Sequence, residues 1–445
     1  MSAWHREKLG NLVRFRAGTG FPKDIQGDTS GDLPFAKVSD MNRSGNEITL
    51  GHAENYISYE QAKALKAYIH KRGAVAFAKI GVALTTNRRR RITRPLVLDN
   101  NMMSAEPFEE KLDESFAYFL LSTIDFNEVS SGSALPYLTV SGLSDIEVSL
   151  PPLAEQREIA SILGTLDDKI ELNRRMAATL EEMARALYRS WFVDFDPVKA
   201  KAEGLPPAFM DEATAALFPV RFGDDGLPEG WVWETFENHY TVLETGKRPK
   251  GGITEVEDGV PSIGAESIKN IGSFDFGKTK FIPRDFFEGM KKGRLSEGDI
   301  LIYKDGGKPG ELRPAATYIS KGFPFDEACI NEHVFRIRVT ENLGQHFGFL
   351  ALSSDHCMSQ MRELATGVAQ PGLNQSAMKA LLFVNPSDSR IILSFNRMVS
   401  TLLDGCNERA KENQTLATLR DTLLPKLMSG ELRVGEARDQ VEEVA

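Results

Sequence analysis

The sequence predicts a mixed α/β protein made of two copies of one unit, each copy ending in a long helix. Three observations support this fold class: an internal repeat, strand-like runs in both copies, and two long stretches of helical periodicity. Trp4 matches Trp231 at a shift of 227 residues, Lys79 matches Lys304 at a shift of 225, and Pro136 matches Pro371 at a shift of 235. Ordered matches along the whole chain indicate a repeated unit of about 220 residues.

Each copy begins with a globular segment of mixed character. Residues 74–78 and 299–303 are strand-like, and glycine-rich stretches such as residues 306–310 separate such runs. Residues 59–71 show a helical pattern. Alternating strands and helices of this kind predict an α/β domain in each copy.

Two long helices follow the globular segments. Apolar residues recur at alternating spacings of three and four, the pattern of a coiled-coil seam. The seam positions are Ile159, Leu163, Leu166, Ile170, Leu180, Leu187 and Trp191 in the first helix, and Phe395, Val399, Leu402, Leu416, Leu423 and Leu427 in the second. We predict that the helices pair antiparallel and relate the two globular copies by a pseudo-two-fold axis. About forty residues at 1.5 Å each would span about 60 Å.

Polar residues interrupt both seams, namely Asn173 in the first and Arg409, Asn413 and Arg420 in the second. Such residues need partners across the helix interface or from another subunit. Acidic residues, among them Asp167 and Glu181, are expected on outer helix faces that suit partner docking.

These patterns divide the chain into five segments. Residues 1–150 form a first globular domain, and residues 151–214 form the first long helix and a linker. Residues 215–387 form a second globular domain, residues 388–435 form the second long helix, and residues 436–445 form a tail.

Composition excludes several classes of protein. No apolar run approaches the roughly 20 residues of a membrane helix, and three scattered cysteines fit a reducing compartment. We therefore expect a cytoplasmic protein without a structural metal. The net charge is −10, but residues 1–150 contain equal numbers of basic and acidic residues. A locally basic surface is thus compatible with the acidic total.

One motif suggests nucleotide binding. Residues 272–279 match the phosphate-loop spacing G-x-x-x-x-G-K-T. Pro283 stands where the following helix should run, and the matching segment of the first copy lacks the lysine. No other nucleophile, metal or cofactor motif is apparent. We predict no catalytic residue, no metal and no cofactor.

Three stretches carry a resemblance to a known family: residues 150–160 (LPPLAEQREIA), residues 187–197 (LYRSWFVDFDP) and residues 423–432 (LLPKLMSGEL). With the repeat and the paired helices, they resemble the specificity subunits of type I restriction-modification systems. Two departures from the family pattern are notable. In the first copy, Ala74 follows Gly73 where the family pattern has an acidic residue, so that turn is expected to differ. In the second copy, residues 385–390 contain no equivalent of the pair Glu155-Gln156.

The resemblance implies a non-catalytic DNA-binding subunit. Each globular part would be a target-recognition domain that reads one half of a gapped, asymmetric site in double-stranded DNA. Two methyltransferase subunits would dock on the helices and methylate adenine with S-adenosylmethionine, and two restriction (motor-nuclease) subunits can join them. The alternative is a coiled-coil scaffold that binds proteins without reading DNA.

Candidate DNA contacts are cationic, amide or small residues near glycine turns. For phosphate they are Thr19, Gly20, Lys23, Lys79, Arg88, Arg89, Arg91 and Arg94 in the first copy, and Lys247, Arg248, Lys250, Lys304, Lys308 and Arg313 in the second. For bases they are Arg90, Asn100, Gln370, Asn374 and Gln375. We hypothesise that residues 88–91 lie against phosphate, because adjacent cations are unfavourable without an anionic partner. Tyr137 and Pro371 are expected to pack rather than to contact bases.

Overall fold

The computed structural model describes residues 4–43, 45–132, 135–250, 259–269, 271–272, 279–305, 307–308, 311–320, 323–367, 371–386 and 388–443. For residues 266, 307, 308 and 311 only the backbone is described. The chain divides into two units. The first comprises residues 1–171 and 415–445, and the second comprises residues 172–414. Both division points fall within long helices, so each helix contributes to both units.

The first unit is built on a sheet with the strand order β2-β9-β6-β7-β4, a smaller sheet β5-β3-β8, and the pair β1-β10. Its strands are β1 (His5–Lys8), β2 (Val13–Ala17), β3 (Leu33–Ala36), β4 (Thr49–Leu50), β5 (Asn55–Ile57), β6 (Val75–Ala78), β7 (Arg89–Ile92), β8 (Val97–Leu98), β9 (Met102–Pro107) and β10 (Glu147–Leu150). Its helices before the first long helix are α1 (Tyr59–Ala64), α2 (Val82–Thr85), α3 (Glu114–Thr123) and α4 (Val140–Ser144). The antiparallel pair β1-β10 brings the two ends of the globular segment together.

The first long helix is α5 (Leu153–Phe192), and it is followed by α6 (Asp196–Ala202) and α7 (Glu212–Leu217). The helix begins directly after Pro152. Proline is well suited to the first turn of a helix, where its missing N–H has no partner to lose.

The second unit repeats the plan of the first. Its strands are β11 (Val232–Thr235), β12 (Tyr240–Thr245), β13 (Val260–Ile263), β14 (Lys280–Ile282), β15 (Ile300–Tyr303), β16 (Gly307–Lys308), β17 (Glu311–Leu312), β18 (Ala315–Tyr318), β19 (Cys329–Ile330), β20 (Val334–Val339) and β21 (Leu382–Asn385). Its helices are α8 (Arg284–Glu288), α9 (Gln345–Leu352), α10 (Asp355–Leu364) and α11 (Gln375–Ala380). The sheet order β12-β20-β15-β18 corresponds to β2-β9-β6-β7, and the pair β11-β21 corresponds to β1-β10.

The second long helix is α12 (Ser389–Ser429), followed by α13 (Val434–Glu442). Pro425 lies inside α12, and the helix ends directly before Gly430. The neighbouring Leu423 and Leu427 are fully buried in the core of the first unit, and this packing continues to the end of the helix. Residues 436–445 were expected to be a tail, but α13 buries Ala437 and Val441 in the same core.

The two long helices run antiparallel. In the second unit, Cys406 Sγ lies 3.3 Å from the Ala177 carbonyl oxygen, and Asn173 Nδ2 lies 3.1 Å from Asn413 Oδ1. Partner numbers in α12 therefore fall as those in α5 rise. Within each unit, the seam residues join the core of that unit's globular part. Most predicted seam positions are buried, while Leu180, Leu187 and Leu402 are half-buried.

The predicted helix over residues 59–71 is much shorter in the structure. It ends at Ala64, and Lys66 adopts a left-handed backbone with φ 51°. The Ala67 N–H then donates to the Ala62 carbonyl, which closes the helix end. The amphipathic pattern of the sequence continues past Ala64, but the helical conformation of the backbone ends there.

The turns before β6 and β15 share their backbone, so the difference expected at Ala74 is confined to the side chain: Asp299 accepts a hydrogen bond from the Ser296 N–H at 2.7 Å, and Ala74 cannot. Gly73 and Gly298 both have positive φ, at 86° and 90°. Both N–H groups donate across the sheet, to the carbonyls of Ile92 and Ile319 respectively. The backbone of the turn depends on the positive φ of glycine and on its hydrogen bond to the neighbouring strand. It does not require the acidic side chain.

What differs between the copies is a buried charge set. Asp299 is fully buried and accepts hydrogen bonds from Arg336 Nε at 2.6 Å and Arg338 Nε at 2.7 Å. Arg336 also bonds Glu244 at 2.9 Å. The equivalent positions of the first copy hold Ala74, Ser104, Glu106 and Arg16 respectively. The loss of the aspartate thus coincides with the loss of both arginines that it would neutralise.

Candidate nucleic-acid interface

Three segments meet at one edge of the main sheet in the first unit. β2 and β6 are both antiparallel to β9, so their last residues, Ala17 and Ala78, lie beside Met103 and Met102 at its start. The chain leaving β2 then crosses very close to the chain before β9. A Cβ on Gly18 would lie only 1.9 Å from the Asp99 carbonyl oxygen, so this crossing requires glycine.

Backbone hydrogen bonds hold these segments together. Thr19 N–H donates to the Leu98 carbonyl at 2.8 Å, and Lys79 N–H donates to the Asn101 carbonyl at 2.8 Å. The Lys79 carbonyl accepts from Leu138 N–H at 2.8 Å, which brings in a fourth segment. The sheet edge therefore presents a fixed set of loops rather than free chain.

The second unit builds the same edge. Gly246 occupies the place of Gly18, where a Cβ would lie 1.6 Å from the Ile330 carbonyl oxygen. Lys304 N–H donates to the His333 carbonyl at 3.0 Å, and its own carbonyl accepts from Leu373 N–H at 2.9 Å. Lys304 is therefore the structural equivalent of Lys79, as the repeat predicted.

Most DNA-contact candidates of the first copy lie at or beside this edge. Thr19 and Lys79 are half-buried there, while Gly20 and Asn100 are exposed. Lys23 is exposed on the short helical turn that follows. Arg94 lies beyond the other end of β7, where its Nη2 donates to the Asp32 carbonyl at 3.3 Å. The structure does not bring Arg94 together with the others.

The arginine run has an interior role that the sequence did not reveal. Arg89 is 4% exposed, and its guanidinium donates to the carbonyls of Leu121 at 3.1 Å and Ile124 at 2.9 Å. These carbonyls end α3, where a cation is favoured. Arg89 also lies over the Phe126 ring, with its guanidinium carbon 3.5 Å from the centroid.

Arg90 is similarly buried and donates twice to the Met41 carbonyl, at 2.8 and 3.2 Å. Arg88, at the start of the strand, is half-buried and hydrogen-bonds Asn42. The guanidinium groups of Arg89 and Arg90 therefore donate to backbone carbonyls of the chain itself, which occupy the place expected for phosphate. The base contact predicted for Arg90 and the phosphate contact predicted for Arg89 would need those bonds to break.

Candidates of the second copy cluster in the same way. Lys247 and Lys250 are exposed after β12, and Arg248 pairs with Glu332. Arg313 is exposed before β18. Asn374 caps α11 by accepting from Ala377 N–H at 2.8 Å, and Gln375 donates to the Leu243 carbonyl at 2.9 Å. Gln370, the Lys308 side chain and residues 273–278 of the phosphate-loop match lie outside the described part of the chain.

The two edges differ in charge. Lys304 Nζ lies 3.0 Å from Asp305 Oδ2, and the same carboxylate oxygen lies 2.9 Å from His333 Nδ1. The first copy has Ile80 and Asn101 at the equivalent positions. Asp305 and His333 are not among the predicted contacts, although Asp305 adjoins Lys304 and His333 lies 3.3 Å from Arg248.

The polar seam residues find partners within the chain. Asn173 is 1% exposed and bonds Asn413. Arg420 Nη1 lies 2.7 Å from Asp167 Oδ1. Burial raises the pKa of Asp167, which the charge of Arg420 opposes, and the same pairing raises the pKa of Arg420. Arg409 lies 3.9 Å from Glu412.

Two acidic residues expected on outer helix faces are buried instead. Asp167 is held by Arg420, and Glu181 accepts hydrogen bonds from Arg185 at 2.7 Å and from the Ile271 N–H at 3.0 Å. Periodicity alone does not distinguish an acidic residue that faces solvent from one that fastens a helix to a domain.

Metal and membrane chemistry find no support in the described residues. No group of three or more histidine, cysteine, aspartate or glutamate side chains among them could hold a metal ion. Within the same residues, no helix is both long and apolar enough to cross a membrane.

A repeated α/β unit, with loops converging on one sheet edge in each copy, defines a modular, two-copy protein. Residues 1–182 match the family model described as "Type I restriction modification DNA specificity domain". The chain is 27% identical to the HindI specificity subunit of Haemophilus influenzae, over 76% of this chain and 81% of that protein. It is 24% identical to the MjaIX specificity subunit of Methanocaldococcus jannaschii, over 97% and 94%.

The fold has a counterpart among solved structures. The S subunit of a type I restriction-modification system from M. genitalium superposes with a TM-score of 0.52 at 16% identity, over 96% of both chains. These comparisons confirm the resemblance to type I restriction-modification specificity subunits, and the fold is that of an S subunit.

Proposed function

We propose that the chain is the DNA-sequence specificity subunit of a type I restriction-modification complex and is not itself catalytic. Residues 1–150 and residues 215–387 would be its two target-recognition domains, each reading one half of a gapped, asymmetric site. The observation that carries this proposal is the equivalence of the two sheet edges. Gly18 and Gly246 make the same crossing, and Lys79 and Lys304 occupy the same backbone position. Different side chains on equivalent loops suit two different half-sites.

The long helices would set the gap and dock the partners. The proposed docking segments are residues 151–214 and 388–435, the partners being two methyltransferase subunits and, where present, two restriction subunits. Support comes from α5, which continues for 40 residues, and from the names of the relatives. The hydrogen bond between the buried Asn173 and the half-buried Asn413 supports a fixed register, because an apolar pair would tolerate sliding.

Adenine-methylation sequencing of the host genome, with and without this gene, tests the proposal directly. We expect one gapped motif to lose methylation when the gene is deleted and to regain it on complementation. A methylation pattern that does not change on deletion would contradict the specificity role.

Binding to duplex DNA separates this function from that of a protein-binding scaffold. Phosphate contacts release counterions, so the logarithm of the binding constant should fall steeply with the logarithm of salt concentration. Lys79→Ala should reduce this slope by about 1. Lys63→Ala is the matched control, because Lys63 is exposed on α1. Binding without salt dependence, or equal slopes for both variants, would count against the assigned edge.

A further inference from the structure

An exposed apolar patch lies at the proposed DNA-reading edge of the first unit. Residues 79–81 pair with residues 136–138, through the Leu138 N–H to Lys79 carbonyl bond and the Gly81 N–H to Pro136 carbonyl bond, both 2.8 Å. Val82 begins α2 directly after this pairing. Val82 is 81% exposed, Leu135 55% and Tyr137 44%. We call Val82, Leu135 and Tyr137 the edge patch.

The patch is built around Gly81 and Gly132. Leu135 Cδ1 lies 3.7 Å from the Cβ position of Gly81, and the Tyr137 ring lies 3.3 Å from that of Gly132. The expectation that Tyr137 only packs is therefore incomplete, since one side of its ring rests on glycine and much of it is open. Pro371, by contrast, is buried as expected.

The second unit has no apolar counterpart at the two equivalent bridge positions. There Asp305 pairs with Gly372, in place of Ile80 and Tyr137. The patch is thus a property of the first copy rather than of the shared fold. A feature required for folding would be expected in both copies, whereas a feature that reads one half-site would appear in one.

We infer that the edge patch reads the 5-methyl group of thymine in the major groove of the first half-site. This inference rests on the proposed function. Thymine is the base that presents an apolar group in that groove, and apolar side chains recognise it by contact. The patch is continuous with Lys79, which would lie toward the phosphates. Three apolar side chains from two neighbouring loop segments form a patch that fits a single methyl group better than it fits a protein interface, whose core buries a broad surface.

The test replaces thymine with deoxyuridine, which removes the methyl group and leaves base pairing intact. The half-site read by residues 1–150 is identified first by domain exchange. Each of its thymines is then replaced in turn, and dissociation constants of the full chain are measured by fluorescence anisotropy at fixed salt. At one position or more, deoxyuridine should weaken binding about fourfold, the effect of one buried methyl group.

A Val82→Ser, Leu135→Ser variant should bind the thymine and deoxyuridine duplexes equally. Tyr59→Ser is the matched control, because Tyr59 is similarly exposed on α1, away from the patch. It should retain the fourfold discrimination. Replacement of thymines in the other half-site should give no difference between the patch variant and the wild type.

Several results would overturn the inference. They are a first half-site without thymine, equal binding of every deoxyuridine duplex by the wild type, and discrimination that persists in the patch variant. Loss of partner co-purification in the patch variant, with methyl discrimination unchanged, would assign the patch to a protein instead. Absence of any sequence-specific DNA binding would overturn the proposed function and this inference with it. Specific binding without methyl discrimination would overturn the inference alone.

Discussion

Replacing Arg89 with methionine separates an interior role from a phosphate contact. The variant keeps much of the apolar stem but removes the guanidinium that bonds the carbonyls of Leu121 and Ile124 and the side chain of Asn87. Hydrogen bonds to a charged donor contribute roughly 1.5–3 kcal/mol each. Contributions within one side chain overlap rather than add. We expect a loss of about 3 kcal/mol in the free energy of unfolding.

The assay is urea unfolding of the full chain, followed by hydrogen exchange in peptides from α3. Exchange localises the effect, because the two units need not unfold together. Arg94→Met is the control, since Arg94 is exposed and makes one long bond; a change within about 0.5 kcal/mol is expected.

DNA binding supplies the second measurement for Arg89→Met. Under conditions where the variant is folded, its salt slope should equal that of the wild type. If the free energy of unfolding is unchanged while the salt slope of DNA binding falls by about 1, then Arg89 contacts phosphate and its proposed interior role is refuted.

Four further predictions concern pH, the helix pair and modularity. Burial and the charge of Arg16 lower the pKa of His70 to about 4, so the folded protein resists a proton that the unfolded chain accepts below about pH 6.5. Stability should therefore fall by about 2 kcal/mol between pH 7 and 5 relative to a His70→Gln variant, as measured by urea unfolding; parallel curves would contradict this. Asn173→Ala should cost about 1–3 kcal/mol by the same measurement, because Asn413 is left unsatisfied, whereas a neutral effect would show that water replaces the bond. Exchange of residues 215–385 for those of a related subunit should alter one half of the methylated motif, and alteration of both halves would refute the assignment of one domain to one half-site. Four residues inserted after Ala178 add about 6 Å of helix and should lengthen the methylated gap with both halves retained, whereas full activity at the original gap would show that the helices do not set it.

The long helices could be predicted because their periodicity persists over many turns and needs no distant information. The interruptions at Asn173 and Arg420 were informative for the same reason, since a polar residue in a seam demands a partner, and Asn413 and Asp167 supply it. The sheet edge was partly predictable. Glycine turns and lysines at repeated positions identified Lys79 and Lys304 as equivalent before their backbone bonds were known.

The arginine run shows where sequence reasoning stops. Three of the four adjacent arginines lie on β7, and the acceptors of the two buried ones come from distant parts of the chain. Arg89 meets the end of α3 more than thirty residues away, and Arg90 meets Met41. Every residue has a backbone carbonyl, so the sequence does not show which carbonyl accepts from an arginine. Only the folded structure shows it. Asp167 and Glu181 were expected on outer helix faces because Arg420 and the Ile271 N–H, which hold them in the interior, are also far away in the sequence.

The charge set around Asp299 bears on how two duplicated copies remain distinct in one gene. Crossing-over between repeated sequences would make the two copies alike and, under the proposed function, the DNA target symmetric. A crossover inside the sheet would combine Asp299 with Ser104 and Glu106, leaving a fully buried carboxylate without either arginine. Stranding a buried charge costs several kcal/mol, a large part of a domain's stability. Hybrid copies of this kind would fold poorly, so the interior of each sheet resists exchange, while its loops remain free to diverge.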